Sequence, residues 1–486
     1  MNVRRGGSAR VVGMPGALYT SGMLQQLPRA RTIIEPFRIK SVEPIRLLPA
    51  AERGRVLEEA GYNLFKIRAQ DVTFDLLTDS GTSAMSARQW AGIMMGDESY
   101  AGSPSFQRFE KSVQDLTGLD NVIPTHQGRS AEFLLMQALA LTGDAIVIGN
   151  THFDTTRANI EHSGAQALDL PCPETADTQL DAPFKGNIDL EALARTLEQE
   201  SRRVRLVVIT VTNNSVGGQP VSMQNIRGAR SILDRYGIPL FLDAARFAEN
   251  AIFIKKREKG FENRPVRDIA REMFSLCDGA LMSAKKDAFG NIGGFLAIRN
   301  RELAESVRSL MVITEGFPTY GGLAGRDLEA LAIGLEEILD EDYLTYRLRS
   351  TEYFGEGIQA AGIPVIRPIG GHAVYIDAGA ALPHIPWNEY PGQSLSVALY
   401  GGIGIRSVEV GSIMLGSRDP ISGEERPAPR ELVRLAIPRR VYTQSHVDYM
   451  IEMIGHLAKR LKELRGFVFT RQAPVLRHFT ASFRPL

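Results

Sequence analysis

Cysteine is almost missing from this chain of 486 residues. Only Cys172 and Cys277 occur, at a spacing that fits neither a zinc site nor a redox pair, so a reduced, cytoplasmic setting is expected. No apolar run approaches the length of a membrane-spanning helix. Neither charge sign is in excess. The 56 Lys and Arg balance 56 Asp and Glu, which removes the basic field that would draw the chain to nucleic acid or an anionic membrane. No nucleic-acid or membrane partner is therefore expected. The Gly-x-x-x-x-Gly-Lys-[Ser/Thr] loop and the His-Glu-x-x-His pair are absent as well. The eight histidines are scattered without metal-ligand spacing, and His372, after Gly370-Gly371, reads as a turn residue.

Hydrophobic residues make up 44% and charged residues 23%, as in an ordinary soluble globular protein, and the length allows two or three domains. Residues 1–34 carry Arg4, Arg5, Arg10, Arg29 and Arg31 among scattered Gly and Ser, without the apolar core of a secretory signal. They read as a flexible arm. From Leu116 to Arg299, apolar strands such as Ala145–Ile148, Leu206–Val211, Pro239–Leu242 and Phe295–Ile298 alternate with helical stretches such as Ile188–Gln199 and Met223–Tyr236. That alternation predicts an α/β fold with a doubly wound, mostly parallel sheet. A long helical stretch, Asp327 to Ala361, leads on to strands Ala373–Asp377 and Val433–Ile437. We therefore expect a large domain over 75–335 and a smaller α+β domain from 35–74 and 336–486. Asp181–Gly186 and Gly416–Pro429 are polar and rich in Pro and Gly, and read as surface loops.

Two segments inside the alternation point to chemistry. Asp243 ends the apolar run Ile238–Leu242, and Ser283-Ala284-Lys285-Lys286-Asp287 follows Ala280–Met282. Parallel sheets bring such strand ends to one edge, where ligands bind. An acid and a lysine there suit pyridoxal phosphate, because the lysine forms the Schiff base and the carboxylate keeps the pyridine nitrogen protonated. Either piece alone reads more readily as a helix cap or a solvated basic pair, and it is the two together that point to the cofactor.

Further segments add to this pair. Thr125-His126-Gln127-Gly128-Arg129-Ser130 opens a helical run, and a glycine turn at a helix N-terminus offers free N–H groups to a phosphate, with Arg129 as a charged fork. Ser283 and Lys285 can close around the same group. Phe153 follows a strand and can stack on a planar cofactor or simply pack in the core. Asn214 can donate to a phenolic oxygen or a carboxylate, and Arg246 can reach the cofactor's 3′-oxygen. Arg434 lies in an apolar strand and needs a partner, either a substrate carboxylate or an internal acid.

These segments, with Leu77-Thr78-Asp79-Ser80-Gly81-Thr82, Met95-Gly96-Asp97-Glu98 and Gly316-Phe317-Pro318-Thr319-Tyr320-Gly321-Gly322, resemble the β-eliminating lyases, the tryptophanases and tyrosine phenol-lyases. The resemblance runs from Glu35 to Ala481. It implies the fold type I architecture of pyridoxal phosphate enzymes, a homotetramer with active sites shared between subunits, and an amino-acid substrate. By the same resemblance Lys286 holds the cofactor and removes the α-proton, and Asp243 faces the pyridine nitrogen. Phe153 stacks on the ring, while Arg246 and Asn214 sit near the 3′-oxygen. Gln127, Gly128, Arg129, Ser283 and Lys285 take the phosphate, and Arg434 takes the substrate carboxylate. Tyr100 is the acid that expels the leaving group across a subunit interface. Glu98, Gly81 and Asn291 are the expected ligands of K⁺ or NH₄⁺.

The identity of the leaving group is divided in the sequence. Trp90–Gly96, Asn291–Phe295 and Gly325-Arg326-Asp327 read closer to the phenol-lyases. The pocket positions read the other way. Val410 stands where phenol-lyases carry the arginine that recognises the phenol hydroxyl, and with Val408 it makes an apolar wall fit for an indole. Asp154, Phe317 and His478 match the tryptophanase form, and Thr78 and Phe479 complete the expected pocket. A site built to pair a hydroxyl discriminates by roughly 10⁴–10⁵, so the pocket outweighs the scaffold and tryptophan is the expected substrate. A phenol-lyase or a lyase for an unusual β-substituted amino acid is the alternative. A non-catalytic pyridoxal phosphate-binding regulator is the remote one.

Overall fold

The computed structural model describes residues 32–418, 424–473 and 476–486, so nearly all of the expected arm lies outside the described residues. Glu35–Leu486 forms one unit. In chain order it contains β1 (Asn121–Thr125), α1 (Gly128–Ala138), β2 (Ile146–Gly149), α2 (Asp154–His162), β3 (Gln166–Asp169), α3 (Leu190–Glu200), β4 (Val204–Thr210) and α4 (Met223–Asp234). Then follow β5 (Leu240–Asp243), α5 (Phe247–Arg257), α6 (Val266–Ser275), β6 (Gly279–Ser283), β7 (Gly294–Ile298) and α7 (Arg301–Thr314).

The seven strands form one sheet in the order β1-β7-β6-β5-β4-β2-β3. Strands β2 to β6 are parallel, while β7 runs against both β6 and β1. The sheet is mixed only because the chain doubles back after β6. The strands read as nearly unbroken apolar runs because helices cover both faces. Alternation along each strand divides them between two cores: Ile146 and Ile148 pack with Phe247 and Phe274 on one face, and Val147 with Leu134 and Val307 on the other. The helices start where the sequence supplies a cap. Asp189, Ser222 and Asn300 accept backbone N–H bonds from Ala192, Asn225 and Leu303.

The long helical stretch expected over Asp327–Ala361 is two helices, α8 (Gly325–Glu337) and α9 (Glu341–Ala360). Asp340 breaks it: its carboxylate accepts the Tyr343 N–H and caps α9, and an N-cap residue is not helical. Beyond them come β8 (Ala373–Asp377), α10 (Pro391–Ile403), β9 (Val408–Val410), β10 (Leu432–Ala436) and α11 (Gln444–Ala458). The strands β9-β10-β8 form an antiparallel sheet with a core of its own, in which Val374, Ile376, Val433 and Leu435 meet Leu395 and Leu399. Within the expected loop Gly416–Pro429, Ser417–Arg418 pairs with Glu425–Arg426. Among the described residues no helix is long and apolar enough to cross a membrane.

A buried ionic network ties these parts together. Arg439 is fully buried and donates to Asp79 (2.8 Å), Glu249 (2.9 Å) and Asp287 (2.7 Å). Arg246 holds Asp79 with two bonds of 3.0 and 2.7 Å. Arg347 holds Glu249 at 3.1 Å and the Ile437 carbonyl at 2.7 Å. Burial opposes ionisation of Asp79, but Arg246 and Arg439 outweigh it and keep this carboxyl well below the usual range. Removing one partner from such a group strands the others. Arg439→Met should therefore cost about 3–5 kcal/mol of unfolding free energy, measured as a lowered urea midpoint with an unchanged slope.

Candidate active site

A cavity of about 300 Å³ opens at the carboxyl ends of the parallel strands. The strand order reverses between β2 and β4, which is where open α/β sheets leave a crevice. Each wall of the cavity begins where a strand stops. Gln127 and Gly128 follow β1, Phe153 and Asp154 follow β2, Asn214 follows β4, Asp243 ends β5, and Ser283, Lys285 and Lys286 come from β6 and its return to β7.

One end of the cavity is built for an anion. Helix α1 begins at Gly128 with no side-chain cap on its first amides, so its N–H groups and positive dipole end face the cavity. Arg129 and Lys285 add charge, and Lys285 Nζ lies 3.5 Å from Gln127 Oε1. Gly128 is required here: a Cβ would come within 2.8 Å of the Ser283 Cβ.

In the middle, Lys286 and Asp243 keep a half-open surface that faces the cavity. Removal from bulk water, and then the nearby Arg246, lower Lys286 to about 7. Much of it is thus the neutral, nucleophilic amine near neutrality. Burial raises Asp243, which Lys286 partly opposes. Neither of the bland alternatives holds. Helix α5 is entered through Arg246, so Asp243 does not cap it, and Lys286 is not a solvated surface lysine.

The far end collects the expected substrate-side residues. Arg434 makes no ion pair among the described residues; it donates to Asn214 Oδ1 (3.1 Å) and to the Leu77 carbonyl (3.1 Å), and its Nε is buried without a partner. This guanidinium still has capacity for a carboxylate. Asp154 and His478 approach to 3.9 Å, too far for a hydrogen bond. Burial, and then Arg477, lower His478 to about 4, so the pair is a neutral imidazole beside a carboxyl that burial raises. Both His478 nitrogens are unpartnered, and the ring lies 3.9 Å from that of Phe479. Thr78, Val408 and Phe479 line the same end, with Phe65, Leu77 and Met414.

A family model described as β-eliminating lyase matches residues 75–453. The chain belongs to the β-eliminating lyases. It is 61% identical to a tryptophanase of Salinibacter ruber over 454 residues, covering 93% of this chain and 96% of that one. It is 48% identical to a tyrosine phenol-lyase of Symbiobacterium over 453 residues, covering 93% and 98%. The phenol-lyase character expected of the scaffold segments is therefore not that of the whole chain. Among solved structures, the serine palmitoyltransferase of Sphingomonas wittichii aligns with a TM-score of 0.58 at 14% identity, covering 85% of this chain and 97% of that one. The fold is the expected fold type I.

Not every expected residue of this lyase lines the cavity. Tyr100 is 68% exposed and packs on Phe317 and Tyr320, with ring centroids 5.5 and 5.3 Å apart. Val410 is buried in a cluster with Val408, Tyr375 and Leu432 and does not line the cavity. Asn291 Nδ2 donates to the Gly81 carbonyl (3.1 Å), so these two expected cation ligands meet, while exposed Glu98 lies 3.6 Å from Arg326.

Other residues around the cavity went unnoticed in the sequence. His372 sits in the bend before β8, as expected, but it is not at the surface. It is fully buried, its Nε2 is 2.9 Å from Asn214 Oδ1, and the Tyr375 hydroxyl donates to the same oxygen at 2.8 Å. Glu132, one turn into α1, lines the cavity, accepts from Thr156 Oγ1 (2.8 Å), and is raised to about 7 by burial and then by Asp243. Its signal was available, as a lone acid in an otherwise apolar helical run.

The low value of Lys286 sets a testable sign. The unfolded chain keeps this proton up to its ordinary range near 10.5 while the folded site gives it up near 7, so the penalty is greatest in acid and fades as pH rises. Lys286→Met should stabilise the cofactor-free protein by up to about 4 kcal/mol, more at acid than at alkaline pH, measured by denaturant titration.

Proposed function

We propose that this lyase cleaves L-tryptophan to indole, pyruvate and ammonia with pyridoxal phosphate as its cofactor. The observation that carries the proposal is the substrate end of the cavity. Val408, Met414, Phe65 and Phe479 give it an apolar wall, its histidine is neutral, and position 410 holds valine rather than a guanidinium. An indole fits such a wall, whereas a phenol hydroxyl finds no charged partner from position 410. The higher identity to the tryptophanase supports the same reading.

The residues fit the cofactor. The anion end suits its phosphate, Phe153 its ring face, and Asp243 its ring nitrogen. Thr212 Oγ1, buried in the cavity wall without a partner, is one more donor awaiting a ligand. When bound, pyridoxal phosphate supplies an aldehyde for amino groups and a ring that withdraws electrons from the substrate's α-carbon.

The protein's own part follows from its side chains. Arg434 holds the carboxylate and so fixes the α-carbon over Lys286. Lys286, in large part neutral near pH 7, takes the α-proton. The indole carbon must gain a proton before it departs, and Tyr100 is the donor assigned to it. Because Tyr100 lies off the cavity of its own chain, we propose that it serves a neighbouring copy. The exposed apolar side chains Trp90, Met94 and Met95 on the helix that precedes it support such packing, in a homotetramer. Asp154 and His478 position the indole, and Arg246, fixed on Asp79, stands with Asn214 toward the 3′-oxygen. Gly81, Asn291 and Glu98 are proposed to hold K⁺ or NH₄⁺, with Glu98 arriving once subunits pack. The division into domains 75–335 and 35–74 with 336–486 follows the two sheets. Two free, buried cysteines accord with a cytoplasmic setting.

Pyruvate release from purified protein with pyridoxal phosphate and K⁺, on tryptophan and on tyrosine separately, tests the proposal. Indole from tryptophan with little phenol is expected. Efficient tyrosine cleavage without indole would sink it in favour of the phenol-lyase reading. Arg434→Ala should raise KM for tryptophan by about 10²-fold or more, and Lys286→Ala should abolish pyruvate release together with the visible absorbance of the bound cofactor.

A further inference from the structure

Beneath the substrate end of the cavity two glutamates face each other without a cation. Glu409 sits in β9 between Val408 and Val410, opposite Val433, while Val408 stands opposite Arg434. Strand alternation therefore turns Glu409 away from the cavity when Val408 faces it. Glu431 immediately precedes β10. Both are buried, and neither makes an ion pair among the described residues.

Their partners are the backbone of one turn. Ser412 N–H donates to Glu431 Oε1, Ile413 N–H to Glu409 Oε1 and Met414 N–H to Glu409 Oε2, each at 3.1 Å. The Ser412 hydroxyl also donates to Glu431 Oε1. Glu431 Oε2 is left buried with no partner. A Cβ on Gly411 would run into both this oxygen and Glu409 Oε1, so the two oxygens flank one small space. Two adjacent carboxylates cannot both remain charged in such a place. A proton between them is what the orphan oxygen lacks.

We propose that Glu409 and Glu431 share one proton, and that this proton latches the 411–414 turn against the substrate end of the cavity. Burial, and then the charge of Glu431, lift Glu409 to about 8, and burial raises Glu431, in keeping with that geometry. The turn carries Met414, and β9 carries Val408, both lining the cavity. Arg477 continues the assembly: it donates to the Ser412 and Ile413 carbonyls and to Glu425, next to His478 and Phe479. Tyr390, which donates to Glu425 at 3.1 Å, faces Glu409 from just before α10, and Asp377 lies beyond Gly379 from Glu431. Arg477 is the cation among these neighbours, and its guanidinium is engaged by Glu425 and the two carbonyls rather than by either glutamate of the pair. When the shared proton leaves, repulsion across Gly411 is relieved only by shifting the turn or β9. The anion end, built on the other sheet, is untouched.

The substrate arm of the test rests on the tryptophan reading, and the stability arm does not. Holoenzyme of the wild type and of Glu431→Gln is melted from about pH 6 to about pH 9. The unfolded chain loses carboxyl protons near 4.3 whereas the folded pair keeps one, so wild-type stability falls as pH rises through this window. The variant, with one neutral amide in place of the shared proton, lacks this contribution, so the gap between the two should widen by about 2 °C or more. In the same window wild-type KM for tryptophan should rise above the variant's by up to about tenfold per unit of pH beyond the pair's titration, with kcat and cofactor absorbance following the same course in both. Parallel melting curves overturn the shared proton, whatever the substrate proves to be. A widening gap with parallel KM profiles overturns the latch. Glu409→Gln gives the same comparison if Glu431→Gln does not fold.

Discussion

Three carboxylates converge on one buried guanidinium, and the site is organised around that fact. Asp79 comes from the segment before the first strand of the large sheet, Glu249 from α5, Asp287 from the residue after Lys286, and Arg439 from beyond β10. None of the four touches the reacting end of the cavity directly, yet Asp79 and Asp287 each adjoin a residue that lines the cavity. Asp79 fixes Arg246, Glu249 fixes Arg347, and Asp287 anchors the chain at Lys286. A buried network of this kind is weak evidence for stability as such. What it provides is geometry, because no member can move without leaving a charge unpaired.

Around that frame the cavity sorts its charge. The anion end concentrates positive groups and helix amides, while exclusion of water, then Arg246 and to a smaller degree Lys285, hold Lys286 low enough to be a base. The acids Glu132 and Asp243 are pushed upward by burial. The far end lacks a free acid or a free base, apart from Arg434 and the Asp154–His478 pair. A single pocket thus grades from cationic to nearly neutral over the length of its ligand, which orients an amino acid with an apolar side chain.

Most of this could be read from the chain, because parallel strands are short, apolar and end at one edge. Asp243 and Lys286 were visible as polar residues closing apolar runs, and Arg434 as a charge inside one. What escaped was settled by distance in space rather than along the chain. Asp79, His372, Tyr375 and Glu132 owe their importance to partners more than a hundred residues away or on a neighbouring helix. His372 looked like a turn residue because only its two preceding glycines were visible. The helical stretch expected over Asp327–Ala361 is divided for a local reason: the periodicity runs through Asp340, but its carboxylate accepts a backbone N–H and caps the second helix.

The run Lys285-Lys286-Asp287 also constrains how this protein can vary. Its three side chains diverge, the first to the Gln127 amide beside the anion end, the second to the cavity, the third to Arg439. Insertion or deletion of one residue between Ser283 and Asp287 would bring a wrong side chain to each destination: an acid in the cavity, or a lysine facing Arg439. The connection from β6 to β7 is therefore fixed in length as strictly as a strand is fixed in register, although it is a loop, and loops are ordinarily where a fold tolerates changes of length.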